Sequence, residues 1–269
     1  MKVPDGRMRL RVTVHELRGG TAPARVLVLA DPLAHTWVFS PCFDAYGVLW
    51  SNRADLLRLG ALFRLAAISP HSVVHIPVPE TDPIRPVAHR QGKQKPAGLV
   101  IARDSAGLRP SQWTQIRRQL GRGTPRSMRA PAPRPVGLRP VVQGPECLPV
   151  APLRLTEHGE TLVVAGSAAA LLQAGDRLTD AGDLVATSRQ VHKYGEGYLS
   201  MLGDLVADTE RGSGNPRERR IEWSVYAAEP IFHKARWRAR RRGAGARGGQ
   251  PNNCSKPRAS RPPLSRTRW

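Results

Sequence analysis

The chain has 269 residues, 40% of them hydrophobic, and a net charge of +21, which admits one large globular unit or two small ones. Glycine and proline stand at 25 each, enough to expect loop-rich or unfolded segments beside a folded part. The longest apolar run, Leu162 to Leu172, is interrupted by Gly166 and Ser167 and falls well short of the roughly 18–20 residues of a membrane span; the first residues, with Arg7, Arg9 and Arg11, lack the apolar core of a secretory signal, so a cytoplasmic location without a membrane span is expected.

In chain order, Met8, Leu10, Val12 and Val14 alternate with Arg9, Arg11 and Thr13, the period of a half-buried strand. Arg25 to Ala30 is a continuous apolar run stopped by Asp31-Pro32, and Thr36–Ser40 and Tyr46–Trp50 are further strand candidates. Residues 52–68 read as a helix: Asn52 is a good N-cap with Asp55 three residues on. Leu56, Leu59 and Phe63 recur at helical spacing, with Arg58 and Arg64 expected on the other side. Ser72 to Val78 reads as a strand, placed at a sheet edge by Pro77. A proline-rich loop, Glu80–Pro96, precedes a short strand at Leu99–Ala102 and a helix over Gln112–Leu120, capped by Ser111 and stopped by Gly121.

Gly121–Pro149 repeats Ala-Pro and Arg-Pro steps, which resist helix and favour an extended linker. Beyond it, Leu153–Thr156 and Thr161–Val164 form a hairpin turning at His158-Gly159. Ser167 caps a helix to about Leu178, and Thr179–Asp183 is expected as a turn. Thr187 and Gln190 suggest a capping box for a second helix ending near Val206. Arg211–Arg220 reads as a loop, and Ile221–Ala227 alternates like a closing strand. The expected fold class is therefore α+β: two small units with mainly antiparallel sheets (residues 1–120 and 150–230) joined by a Pro/Arg-rich linker (121–149), plus a disordered basic C-terminal tail (231–269).

The charge is uneven. Residues 1–116 carry +7, residues 117–139 carry seven arginines and no acid, residues 140–233 carry −5, and residues 234–269 carry twelve basic residues and no acid. The concentration on linker and tail points to polyanions. In the tail, Lys234, Arg236, Trp237, Arg238, Arg240, Arg241, Arg242 and Arg247 combine guanidinium groups, which pair with phosphate and release counterions, with one aromatic ring for stacking on a base. An arginine-rich, alanine-rich composition is also what GC-rich coding produces, and the tail resembles an out-of-frame reading of such DNA.

Other constellations are weaker. A helix-turn-helix over Ala168–Val206 is disfavoured because its second helix would carry Glu196 and Asp204 with Lys193 as its interior cation. His71 and His75, with Cys42, lack a fourth metal ligand, and the three cysteines, Cys42, Cys147 and Cys254, form no CxxC pair. Asp31 and His35 follow an apolar strand, where a carboxylate can orient a general base, but Ser40 and Cys42 are the only nearby nucleophiles. Glu157, His158 and Glu160, with Asp176, Asp180 and Asp183, read as solvated acids at element ends. Nucleotide-binding glycine motifs are absent. These readings favour a non-enzymatic accessory or binding protein that grips DNA or RNA through linker and tail, with no catalytic residue, metal or cofactor assigned. Second comes a module that docks a protein partner on the acidic second unit, testable at Asp204 and Asp208. Third comes a hydrolase or nuclease using His35, or His71 with His75.

Overall fold

The structure, a computed structural model, describes residues 7–17, 23–39, 46–78, 97–134, 153–185, 197–199, 204–207 and 219–227. The elements are β1 Arg9–Glu16, β2 Arg25–Leu29, β3 Trp37–Phe39, β4 Tyr46–Ser51, α1 Arg53–Ala67, β5 Ser72–Ile76, β6 Gly98–Arg103, α2 Trp113–Arg118, β7 Thr124–Arg129, β8 Leu153–His158, β9 Thr161–Gly166, α3 Ala168–Val185, β10 Gly197–Leu199, β11 Asp204–Ala207 and β12 Arg219–Ala227. The fold is α+β. Its centre is a seven-strand mixed sheet in the order β7-β1-β2-β5-β6-β9-β8, packed with helices, with β3 and β4 as a small hairpin. Hydrogen bonding continues from β8 through β11 and β12 to β4 and β3, and β10 also pairs with β12.

Strands from the two halves of the chain thus share one sheet, where two separate sheets were expected. The junction is β6 beside β9, parallel, with Leu99 opposite Leu162 and Ile101 opposite Val164. The physical reason lies in the strands themselves. β6 and β9 are apolar on consecutive residues and buried on both faces, and such a strand needs neighbours and cover on both sides. Parallel pairs also join β2 to β5 and β8 to β11, so the sheet is mixed, although most of its pairs are antiparallel as expected.

One face of the sheet is covered by α1 and α3. Leu10, Val12, Leu27, Val74, Leu99, Ile101, Leu162 and Val164 point into a core with Leu56, Leu59, Phe63, Leu171 and Leu178 from the helices. α1 is capped as expected, Asn52 Oδ1 accepting from the Asp55 backbone N at 2.9 Å. Ser167 Oγ accepts from Ala170 N at 3.1 Å at the start of α3. The two helices meet at glycines: a Cβ on Gly60 would lie 2.5 Å from Gly175 O, and one on Gly175 would lie 2.6 Å from Gly60 O. The opposite face is covered in part by Ala106, Trp113 and Ile116, which pack on Val26, Val73, Val100, Ala102 and Val163.

Several expectations are corrected. Thr124–Arg129, expected as linker, is an edge strand antiparallel to β1, because β1 offers a free edge there. The strand at Ser72 lies inside the sheet between β2 and β6; Pro77 falls just beyond its last residue and costs no ladder hydrogen bond. Pro110–Gln112 forms a 3-10 turn, so α2 begins at Trp113 without a side-chain cap, rather than behind Ser111. The β8–β9 turn sits on Gly159 and Glu160, both at positive φ (55° and 59°), as a tight two-residue hairpin requires. α3 runs unbroken through Thr179–Asp183, since Gly182 serves close packing: a Cβ there would lie 3.2 Å from Arg53 O and from Leu56 Cβ. Residues 197–199 and 204–207 are strands where a helix was expected. The 80–96 loop, the Thr187/Gln190 capping box, residues 135–149, residues 211–218 and the tail from 231 lie outside the described residues. No described helix is long and apolar enough to cross a membrane.

Candidate nucleic-acid interface

The sheet edge formed by β7 and β1 gathers arginine from two distant stretches. Residues 7–17 and 117–134 contribute Arg7, Arg9, Arg11, Arg117, Arg118, Arg122, Arg126, Arg129 and Arg134, against Glu16 as the acid. Along β1 the apolar residues Leu10 and Val12 are spent on the core, which turns Arg9, Arg11 and Thr13 to the opposite face. Register then brings Arg129 opposite Arg9, Ser127 opposite Arg11 and Pro125 opposite Thr13. Met128, one residue out of phase, packs against the core. Arg9, Arg11, Ser127 and Arg129 are all exposed.

These arginines are little neutralised. Arg11 lies 3.4 Å from Asp31, but its side chain is 76% exposed, and such surface pairs contribute about 0–1 kcal/mol. Among the described residues, Arg9, Arg117, Arg118, Arg122, Arg126 and Arg129 make no ion pair.

The helical layer is the reverse. Arg64, expected on the solvent side of α1, is buried. Its Nη1 donates to Thr179 Oγ1 at 2.7 Å, to Gly175 O at 2.8 Å and to Asp176 Oδ1 at 3.4 Å, and its Nε donates to Pro131 O at 3.0 Å. The same Asp176 oxygen accepts from Arg134 N at 3.1 Å. Burial lowers the Arg64 pKa against the opposing pull of Asp176. Burial likewise raises the Asp176 carboxyl, against its hydrogen bond from Arg134 N and the Arg64 charge. Arg53 pairs with Asp183 at 2.9 Å; outside this layer Arg154 on β8 pairs with Asp104 at 2.6 Å, both side chains exposed. Asp176 and Asp183, expected as solvated acids, are therefore taken up by cations of the same molecule.

The remaining sequence candidates separate. The tail residues Lys234, Arg236, Trp237, Arg238, Arg240, Arg241, Arg242 and Arg247 lie outside the described residues, as do Cys42 and Asp208. His71 is exposed, whereas His75 is buried with its ring edge-on to Trp113 at 4.8 Å between centroids. Burial first, then the charges of Arg117 and His15, hold the His75 pKa down to about 4. Trp113 Nε1 donates to Thr161 Oγ1 at 3.2 Å, which locks the ring over the sheet. His35 is exposed, and its backbone N donates to Asp55 Oδ2 at 2.9 Å; Asp31 faces Arg11 and gives its carbonyl to Arg58. Among the described residues no group of three or more His, Cys, Asp or Glu side chains is placed to hold a metal ion.

The Arg9–Arg129 pairing escaped the sequence reading. The alternation in β1 was visible, but Thr-Pro-Arg-Ser-Met-Arg has low strand propensity. Its one clue is period two, with Met128 as the inward residue. The chain matches no protein-family model, no curated protein and no solved structure.

Proposed function

We propose that this protein is a cytoplasmic, non-enzymatic accessory protein that binds nucleic acid electrostatically and without sequence preference. The observation that carries the reading is the row of exposed arginines over residues 117–129 that make no ion pair among the described residues, beside the equally exposed Arg9. Cations that are not neutralised within the molecule are available to phosphate, and each contact made releases condensed counterions. The twelve basic residues from Lys234 onward, with no acid among them, extend the same chemistry. Docking of a protein partner on the acidic second half gains no comparable support, since Asp176 and Asp183 already face arginines.

The test is fluorescence anisotropy of nuclease-treated full-length protein with a labelled 20-nucleotide single strand across a salt series. The expected result is binding whose affinity falls steeply with salt, by about 300-fold or more between 50 and 200 mM for six or more single-strand contacts. Replacing Arg236, Arg238, Arg240, Arg241 and Arg242 by Gln in the full chain reduces the slope. Affinity that does not change with salt, or no binding at 50 mM, would refute the reading.

A further inference from the structure

We infer that Arg9, Arg11, Ser127 and Arg129 form a phosphate-binding ledge on the sheet face opposite α1 and α3, which holds the backbone of a single-stranded nucleic acid. The inference rests on the electrostatic reading above and assigns it a site in the folded part of the molecule.

The ladder fixes the geometry of the ledge. Ala130 N donates to Met8 O at 3.0 Å, and Ala30 N donates to Arg11 O at 3.0 Å. Hydrogen bonds between β1 and β7 therefore fall at the even-numbered residues of β1, and those to β2 at the odd ones. Arg9 opposite Arg129, and Arg11 opposite Ser127, are the non-hydrogen-bonded pairs, in which Cα atoms approach to about 4.5 Å and side chains stand closest. Like charges directly opposed in this way destabilise a sheet, and among the described residues neither Arg9 nor Arg129 has an acid to relieve it. A bound anion supplies that relief.

The same ladder leaves further donors. β7 ends the sheet order, so its outer edge has no strand partner among the described residues. At the non-hydrogen-bonded positions the N–H groups of Ser127 and Arg129 point away from β1, toward that open edge. Pro125, next in the series, has no N–H and so adds no donor to that edge, while its place there costs the ladder to β1 no hydrogen bond. Three guanidinium groups, a hydroxyl and two backbone N–H groups thus line the rim of the sheet, the kinds of donor that contact phosphate in nucleic-acid complexes.

The chemistry selects the ligand. Residues two apart on a strand are separated by about 6.8 Å, so the ledge presents charge to successive phosphates rather than to one isolated ion. The exposed side chains of the row carry no aromatic ring for stacking, so no base preference is expected. They also carry no large apolar group to enter a bilayer. A flexible single strand can follow the rim from face to edge. A rigid duplex touches it tangentially, and the neighbouring β2 keeps β1 and β7 from entering a groove as a free ribbon.

The experiment compares two full-length double variants with equal charge change, Arg9→Gln/Arg129→Gln on the ledge and Arg117→Gln/Arg118→Gln on α2. The probe is a labelled mixed-sequence 20-nucleotide single-stranded DNA, and log affinity is followed against log salt. Loss of two single-strand phosphate contacts lowers the slope by about 1.4, and we expect this for the ledge variant and less than half of it for the α2 variant. An Arg9→Lys/Arg129→Lys variant, which keeps both charges, retains the slope and guards against a folding artefact. Equal slopes for the two Gln variants, with wild type binding, overturn the ledge and leave the broader reading standing. Wild type that fails to bind overturns both. If the ledge variant loses binding only to a 20-base-pair duplex, or only to phosphatidylserine vesicles, the single-strand assignment is overturned.

Discussion

Two arginine populations in this molecule differ in what surrounds them. In the helical layer Arg64 sits between α1 and α3, donates to four oxygens and faces Asp176. On the β1–β7 edge Arg9 and Arg129 face each other across the ladder in solvent. The first kind is part of the core, and its field is spent inside the molecule. The second kind adds nothing to the core, and its field reaches outward. A count of arginines in the sequence does not separate the two.

The largest expected effect comes from breaking the inner pair. Arg64→Leu leaves Asp176 buried without its cation, and a loss of about 3–5 kcal/mol is expected in urea denaturation. Arg64→Met/Asp176→Leu, which removes both charges, should recover most of that loss; no recovery would show that the hydrogen bonds to Gly175 O, Thr179 and Pro131 dominate.

Next in size is a pH effect on the sheet's second face. His75 titrates near 4 in the folded protein against an ordinary 6.5, so as pH falls the unfolded chain takes up this proton first. The His75 contribution is therefore complete above about pH 6.5 and declines as pH drops toward 4, by at most about 3 kcal/mol. His75→Phe should flatten the fall in stability between pH 6.5 and 4; an unchanged pH profile would contradict the burial of a neutral imidazole against Trp113.

Gly175→Ala tests the closeness of the helices that enclose Arg64. Its Cβ would meet Gly60 O at 2.6 Å, and overpacking of this kind costs about 1–3 kcal/mol, readable as a lower thermal midpoint. The smallest effect belongs to the outer pair. Arg9→Gln/Arg129→Gln should change stability by less than about 1 kcal/mol, in the stabilising direction, because it removes an opposed like-charge pair. A substantial loss of stability there would mean that these arginines belong to the first population after all.

Local features were legible before the structure. The alternation in β1 predicts its inward residues, and Asn52 with Asp55 predicts the start of α1. Ser167 marks the start of α3. Non-local features were not. Gly182 reads as a turn residue in isolation, yet it lies inside α3 because α1 approaches there. Thr124–Arg129 has linker composition, and β1 makes it a strand. The doubly buried runs in β6 and β9 did carry a signal for central strands in one sheet, since continuous apolar sequence implies cover on both faces.

Of the ledge, Arg9 and Arg11 could be placed on one face from sequence, and Ser127 and Arg129 could not. The sequence by itself determined the alternation of β1, where α1 and α3 begin, and how much positive charge the chain carries. Only the tertiary structure decided which arginines that charge leaves exposed. Arg64 meets Asp176 from 112 residues away, and Arg9 meets Arg129 across a register set by the whole sheet. Periodicity is a property of neighbouring residues, whereas neutralisation depends on what the fold brings within a few ångströms.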